Sequence, residues 1–405
     1  MNNKNLTILA IITLIGIIVA AVLTQQQETP RTVSLHPVVF PKLMATINEV
    51  DEVTINTAQE NFTLLREQDQ WGLKEKYQYP VALDKVRKVL LGMAELTLLE
   101  EKTANPELYP KLEVEDTLTK EAKSTLLTLK AKGQTVATLI IGRDQTAKID
   151  PTRREIYIRK PDEQQSWSAF GLLPVEKKLT DWLDKEIVNV DGQRVRQVNI
   201  NHPEGEQLTF SKKQPKDSDY TLADMPEQAT LSSPQVLKQV ANVLSFLNLE
   251  DVVPAKEIEF TENLVTKAIF TTFDGLEVTV VVLNKEGKHY AQFSTRFVPE
   301  AVVKPQTEEP NEGDKTTTKS EEKSEADKTK DVEQEASILN AKFNSWVFVL
   351  PDYKVGLLAK KRDELIKIET PKQGETSPEL GHATTTSNGT PLEVPTVLNH
   401  PTIHQ

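Results

Sequence analysis

Apolar and polar positions alternate along Val50-Asp-Glu-Val53-Thr-Ile55, Phe62-Thr-Leu64-Leu65 and Trp71-Gly-Leu73. The same order returns in Val195-Arg-Gln-Val198-Asn-Ile200, Leu208-Thr-Phe210 and Tyr220-Thr-Leu222. A period of two sends successive side chains to opposite faces, so each run predicts a short strand with one buried face. A helical period follows in both passages, through Val86, Val89, Leu90 and Met93 in the first and Val240, Val243, Leu244 and Leu247 in the second. Ser233-Pro234 offers a capping hydroxyl and a residue suited to the first helical turn. Such stripes are read as core-facing rather than as ligand surfaces. Hairpins come next, Thr125–Leu129 with Val136–Ile141 around Lys132-Gly133, and Ala268–Phe273 with Val278–Leu283 around Asp274-Gly275. Glu155–Arg159 and His289–Phe293 add one strand each. Each passage closes on a Trp-bearing strand and a helix: Trp167 before Leu179, Trp182, Leu183 and Ile187, and Trp346 before Leu357, Leu358, Leu365 and Ile366. The pattern predicts an α+β fold of two related units of antiparallel strands packed with helices, an approximate duplication over 46–192 and 193–367.

Other segments break the pattern. From Leu6 to Leu23 the chain is apolar on every side, through Leu6, Ile8, Leu9, Ile11, Ile12, Leu14, Ile15, Ile17, Ile18, Val19, Val22 and Leu23, with neither charge nor proline. As a helix it would cover roughly 27 Å, close to the hydrocarbon thickness of a bilayer. Ala20 and Ala21 offer a signal-cleavage site, but Val22 and Leu23 carry the run past it, which favours a retained anchor at 1–27. Lys4 precedes the run and Glu28 follows it, so the positive-inside rule places the N-terminus in the cytoplasm and the bulk outside. A connector at 28–45 contains Pro30, Pro37 and Pro41. Lys304–Asp331 lacks Val, Ile, Leu, Met and aromatics, so a disordered charged insertion is expected over 304–335. The Thr/Pro/Gly-rich tail at 368–405 is expected to be disordered too.

Composition changes the picture mainly by exclusion. The chain has 405 residues, a net charge of −12 and no cysteine. An acidic balance argues against nucleic acid, and the missing thiols exclude disulfides and cysteine chemistry. No HExxH, GxSxG, P-loop or GxGxxG spacing is present, and no catalytic, metal or cofactor-binding residue is assigned. His202 with Glu204 and Glu206 reads as an exposed polar turn. Asp51 with Glu52, or Asp181 with Asp184, could serve as carboxylate pairs, but spacing alone does not place them in a cleft. Arg143-Asp144 and Arg153-Arg154 read as a salt-bridged turn rather than an anion site. Trp71 and Trp167 read as caps on the core; if exposed, they would suit carbohydrate stacking.

The ordered run V-x-x-V-x-I, W-x-L, the helix holding Val86 and Leu90, then Glu101-Lys-Thr-Ala104, Pro106, Tyr109, Leu112, Gly142 and Trp182-Leu-Asp184 resembles the DUF4340 family. The resemblance covers roughly 45–250 well. It implies bacterial proteins often encoded beside ABC transporters of the gliding-motility type, and it supplies no catalytic residues. The expectation is a non-enzymatic, single-pass inner-membrane protein with a periplasmic bulk. It would dock on an ABC permease or another anchored envelope protein, without small-molecule cofactor. A glycan-binding module is the second reading, and a carboxylate-dependent hydrolase the third.

Overall fold

Strand β1 (Glu52–Asn56) buries Val53 and Ile55, and β2 (Asn61–Glu67) buries Phe62 and Leu64, each on alternate positions. The computed structural model that places them describes residues 37–147, 150–303 and 325–368. The anchor residues Leu6–Leu23, connector residues 28–36, insertion residues 304–324 and tail residues 369–405 lie outside the described residues. Among the described residues no helix is long and apolar enough to cross a membrane.

The first sheet adds β3 (Gln70–Leu73), β4 (Tyr79–Pro80), β5 (Thr97–Glu101), β6 (Thr125–Ala131), β7 (Gln134–Thr146), β8 (Arg154–Arg159) and β9 (Ser166–Gly171). Its spatial order is β4-β3-β2-β1-β6-β7-β8-β9-β5, antiparallel throughout. Helix α1 (Leu83–Glu95) buries Val86, Val89, Leu90 and Met93. After β10 (Glu186–Val188) the second sheet uses β11 (Val195–Asn201), β12 (Gln207–Ser211) and β13 (Thr221–Leu222). Past β14 (Ala229–Leu231), α2 (Pro234–Ala241) and β15 (Leu247–Asn248) it continues with β16 (Asp251–Pro254), β17 (Val265–Thr272), β18 (Leu276–Lys285), β19 (Lys288–Phe297) and β20 (Trp346–Leu350). The order β13-β12-β11-β17-β18-β19-β20-β16 retraces the first sheet strand for strand, except that nothing matches β4. The fold is therefore α+β, with two antiparallel sheets of one connectivity.

Hairpin turns follow the sequence. Lys132 and Gly133 take φ of 51° and 76°, the left-handed pair that a two-residue turn requires, and Gly275 takes φ 91° after Asp274. The Ser233 hydroxyl accepts the Gln235 amide at 3.3 Å with Pro234 in the first turn, as a cap should.

Three expectations need correction. First, Leu179, Trp182, Leu183 and Ile187 form no closing helix. A single 3-10 turn (Leu179–Trp182) leads into extended chain, because the Trp182 carbonyl accepts the Ala82 amide at 2.8 Å and Leu183 bridges to Val81. The second unit does close on helix, α4 (Asp352–Leu358) followed by one turn at Arg362–Leu365, before β21 (Ile366–Ile368) pairs with β14. Second, α2 stops at Ala241, so Val243 and Leu244 are buried in the turn after it. Leu247 lies on β15, paired with Val188 of β10. Third, residues 325–335 of the expected disordered insertion belong to helix α3 (Glu325–Phe343). Val332, Ala336 and Phe343 recur at helical spacing and are buried on its inner face. Arg194 clamps that face, reaching Glu335 at 2.9 Å and Asp274 at 3.0 Å.

The two sheets share one apolar core. At their seam the Tyr79 ring meets Trp346 edge-on at 5.0 Å, Lys76 pairs with Asp251 at 2.5 Å, and β10 carries the chain across to β15.

Candidate functional site

The β12–β13 hairpin holds the most chemically loaded cleft. Its register sets Phe210 opposite Leu222, as Leu64 faces Leu73 between β2 and β3. Counting outward, Lys212 matches Arg66 and Tyr220 matches Trp71. The backbone agrees: the Lys212 amide donates to the Arg196 carbonyl at 2.9 Å, and the Arg66 amide to that of Asp51 at 2.8 Å.

In the second unit this pair is buried. Lys212 is only 6% exposed, with its ammonium 5.3 Å from the Tyr220 ring centroid and 5.8 Å from that of Phe273. Its Nζ donates to the Pro215 carbonyl at 3.3 Å, and burial holds its pKa below the ordinary lysine range. The Tyr220 hydroxyl sits 3.0 Å from the Gly192 carbonyl and 2.7 Å from that of Val195. Burial first, and the Asp191 charge second, push the phenol's pKa up. Residues 213–219 arch beside the pair and leave a cleft of about 340 Å³, whose wall also includes Asp191, Lys216, Asp217, Lys238 and Asn242. Gly192 lets the Asn242 side chain lie close, since a Cβ would sit 2.0 Å from its Oδ1 and the amide would have to turn away. The cleft can hold an anion against partly desolvated positive charge.

The residues singled out from sequence are dispersed. Glu52 pairs with Lys130 at 2.7 Å, while Asp51 accepts the Lys132 amide at 2.9 Å. Asp181 pairs with Lys185 at 3.0 Å, and the Asp184 backbone carbonyl accepts the Tyr79 hydroxyl at 3.2 Å. Neither pair lines the Lys212 cleft. Arg154 pairs with Asp144 at 2.7 Å and Arg153 with Asp150 at 3.9 Å, while Arg143 lies over the Tyr157 ring at 5.7 Å, so two of the three arginines are salt-bridged locally. Trp71 and Trp167 are half-buried against the core. His202 departs from its reading as part of an exposed turn: it is 6% exposed, with Nε2 3.1 Å from the Lys360 carbonyl. The turn around it seats the C-terminal helical turn, because Glu206 accepts the Arg362 amide at 2.8 Å and Glu204 pairs with Lys361. Among the described residues no cluster of His, Asp or Glu could hold a metal ion.

Sequence reasoning did not single out Lys212. The signal available was the contrast between Glu-Gln-Asp-Gln at 67–70, after Arg66, and the longer Lys-Gln-Pro-Lys-Asp-Ser-Asp at 213–219, after Lys212, ahead of the matching aromatic.

The motif residues quoted above turn out to be joints. Tyr109 is buried, donates to the Gln164 carbonyl at 2.6 Å and lies under the Arg159 guanidinium at 4.6 Å. Arg159, itself buried, donates to the Val114 carbonyl at 3.1 Å and pairs with Asp116 at 2.5 Å, strapping the crossover after β5 to the sheet. Gly142 lets that crossover lie close, since a Cβ would sit 2.3 Å from the Leu112 carbonyl. Trp182 is fully buried where the chain leaves the first sheet, its indole donating to the Glu176 carbonyl at 3.0 Å.

No curated protein and no solved structure matches the chain. A family model, the domain of unknown function DUF4340, matches residues 71–264, from Trp71 in the first hairpin to the turn before β17. That stretch spans the Tyr109 strap, the Trp182 joint and the Lys212 cleft, and over it the chain is similar to the DUF4340 family.

Proposed function

We propose that the chain is a membrane-tethered, non-enzymatic accessory protein of a bacterial envelope system, docking on an ABC-type permease or another anchored partner. The observation that carries this reading is the uncharged run Leu6–Leu23 ahead of the folded body. The body takes up the chain at a sheet edge, where the Pro37 carbonyl accepts the Leu98 amide at 2.8 Å and Val39 donates to the Leu96 carbonyl at 2.8 Å. Residues 24–36, fully extended, would span at most roughly 47 Å, so the body would work close to the bilayer. A seam of packed rings and paired strands gives such a body a fixed surface to present.

The test is affinity purification of the full-length chain, crosslinked in its native membrane, against a control lacking residues 1–27. Specific enrichment of transporter permease or ATPase subunits is expected. Enrichment of no membrane protein over the control would sink the reading. Protease added outside the inner membrane should digest the body while sparing the N-terminus, and full protection would reverse the assigned orientation.

A further inference from the structure

The Lys212 ammonium has three donors and, among the described residues, one protein acceptor, a carbonyl at the long distance of 3.3 Å. The rings of Tyr220 and Phe273 offer it π-faces but no oxygen. Two carboxylates stand near enough to be felt, Asp217 and Asp191, yet neither hydrogen-bonds to it. Each serves its own loop: Asp191 accepts the Gln193 amide at 2.8 Å and Asp217 the Gln214 amide at 2.9 Å. Lys238, exposed on α2, adds a second positive charge on the same side. A buried cation with unspent donors is costly unless a partner completes its shell. In a chain of net charge −12, the three lysines lining this cleft outnumber its two aspartates, Asp191 and Asp217, so its lining is locally positive by one charge.

We propose that this cleft binds the oxyanion group of a small anionic ligand, a phosphate ester or a carboxylate, with Lys212 at its base and Lys238 and Lys216 at its rim. The volume of about 340 Å³ suits a ligand of monosaccharide size, at the small end of pockets that hold metabolites. Ser218 and Asn242 offer polar groups for the uncharged part. Lys212 would give the oxyanion charge-assisted hydrogen bonds from a poorly hydrated ammonium, where they are strongest. The proposal is independent of membrane tethering and of any docking partner.

The experiment is calorimetric titration of the full-length chain in a non-ionic detergent with inorganic phosphate, with glucuronate, and with glucose as the uncharged control. At least one oxyanion should bind with a Kd of about 1 mM or tighter and raise the melting temperature, while glucose does neither. Phosphate alone would assign the phosphate-ester class, and glucuronate alone the carboxylate class. Lys212→Met should weaken binding about tenfold or more, since the oxyanion loses its charged donor. Circular dichroism checks that this variant is folded. Should it not fold, Lys238→Glu at the exposed rim carries the test, with a loss of about fivefold or more expected from reversing one charge near the ligand. Neither oxyanion binding at about 10 mM, or undiminished binding by the folded Lys212→Met or by Lys238→Glu, overturns the proposal.

Discussion

The β2–β3 and β12–β13 hairpins occupy the same place in two sheets of one connectivity, and each sets a cation over an aromatic ring. In the first, Gln68 and Asp69 turn the chain with φ of 48° and 64°, and Arg66 stays half-buried over Trp71 at 5.9 Å, its guanidinium donating to the Asn48 carbonyl at 2.9 Å. In the second, the loop is longer and a second ring closes over the cation. That ring is Phe273, three residues beyond Phe270, which pairs with Val198. Lys132 stands in the matching place, three beyond Leu129, which pairs with Val53. One scaffold thus yields a satisfied surface pair and an under-satisfied buried one. Loop length and a single aromatic make the difference, while the strand frame is unchanged.

The largest expected contrast lies in the two aromatics. Tyr220→Ala should cost about 4 kcal/mol, because it opens a cavity beside Phe210 and removes the phenol's hydrogen bond to the Val195 carbonyl. Trp71→Ala, at a half-buried ring, should cost only about 2 kcal/mol. Denaturant titration of both variants measures the contrast, and equal losses would break the correspondence drawn between them. A second contrast compares turn glycines. At Gly133 nothing lies within 4 Å of an added Cβ, so Gly133→Ala should cost about 1 kcal/mol of backbone strain alone. At Gly275 the Cβ would meet the Phe297 ring at 2.7 Å as well, so Gly275→Ala should cost about 2–3 kcal/mol.

How far the sequence foretold this depends on what each residue is used for. Strand runs such as Val198-Asn-Ile200 were legible because their period is set by burial of one face, which local chemistry already records. The missing helix at Leu179–Ile187 was not legible. Its apolar residues are spaced for a helix but spent on pairing with Val81 and β15, partners distant in sequence. Residues 325–331 looked too polar to order, because the stripe that holds α3 begins only at Val332 and the helix propagates backward from it. The cleft lay further from reach. Lys212 reads as one more surface lysine until Phe273, far along the chain, is seen beside it.

The lysine itself gives the third contrast, of opposite sign. Lys212→Met removes a buried cation yet keeps an unbranched stem between the rings, so the unliganded protein should gain about 1–2 kcal/mol. Arg66→Met should change stability by less than about 0.5 kcal/mol, as surface substitutions do. The pH dependence has a definite sign. Lys212 titrates below its unfolded value in the folded state, so between the two the unfolded chain binds more protons. The Lys212 contribution to stability should therefore rise with pH from the lowered folded pKa up to about 10.4, the unfolded value. Lys354, lowered by burial alone, contributes the same slope, so Lys212→Met should diminish it without abolishing it. An unchanged slope in that variant would show that Lys212 is already well solvated.

The smallest expected change in stability comes from the most informative exchange. Replacing residues 213–219 with the Glu-Gln-Asp-Gln found at 67–70 would give the second unit the hairpin turn of the first. Shortening a loop by a few residues alters closure entropy by well under about 1 kcal/mol, so the fold should tolerate it. The Pro215 carbonyl and the loop wall of the cleft would go, leaving Lys212 over Tyr220 and open to water as Arg66 is over Trp71. Two readouts then move together in a folded protein: oxyanion binding is lost, and the share of the alkaline stability slope due to Lys212 disappears. If binding survives the exchange, the loop is no part of the site and the anion must be held by Lys212, α2 and the Gly192 turn. If the slope survives without binding, Phe273 rather than the loop is what keeps water from Lys212. Either result assigns to one element the divergence between two hairpins that the strand frame leaves equivalent.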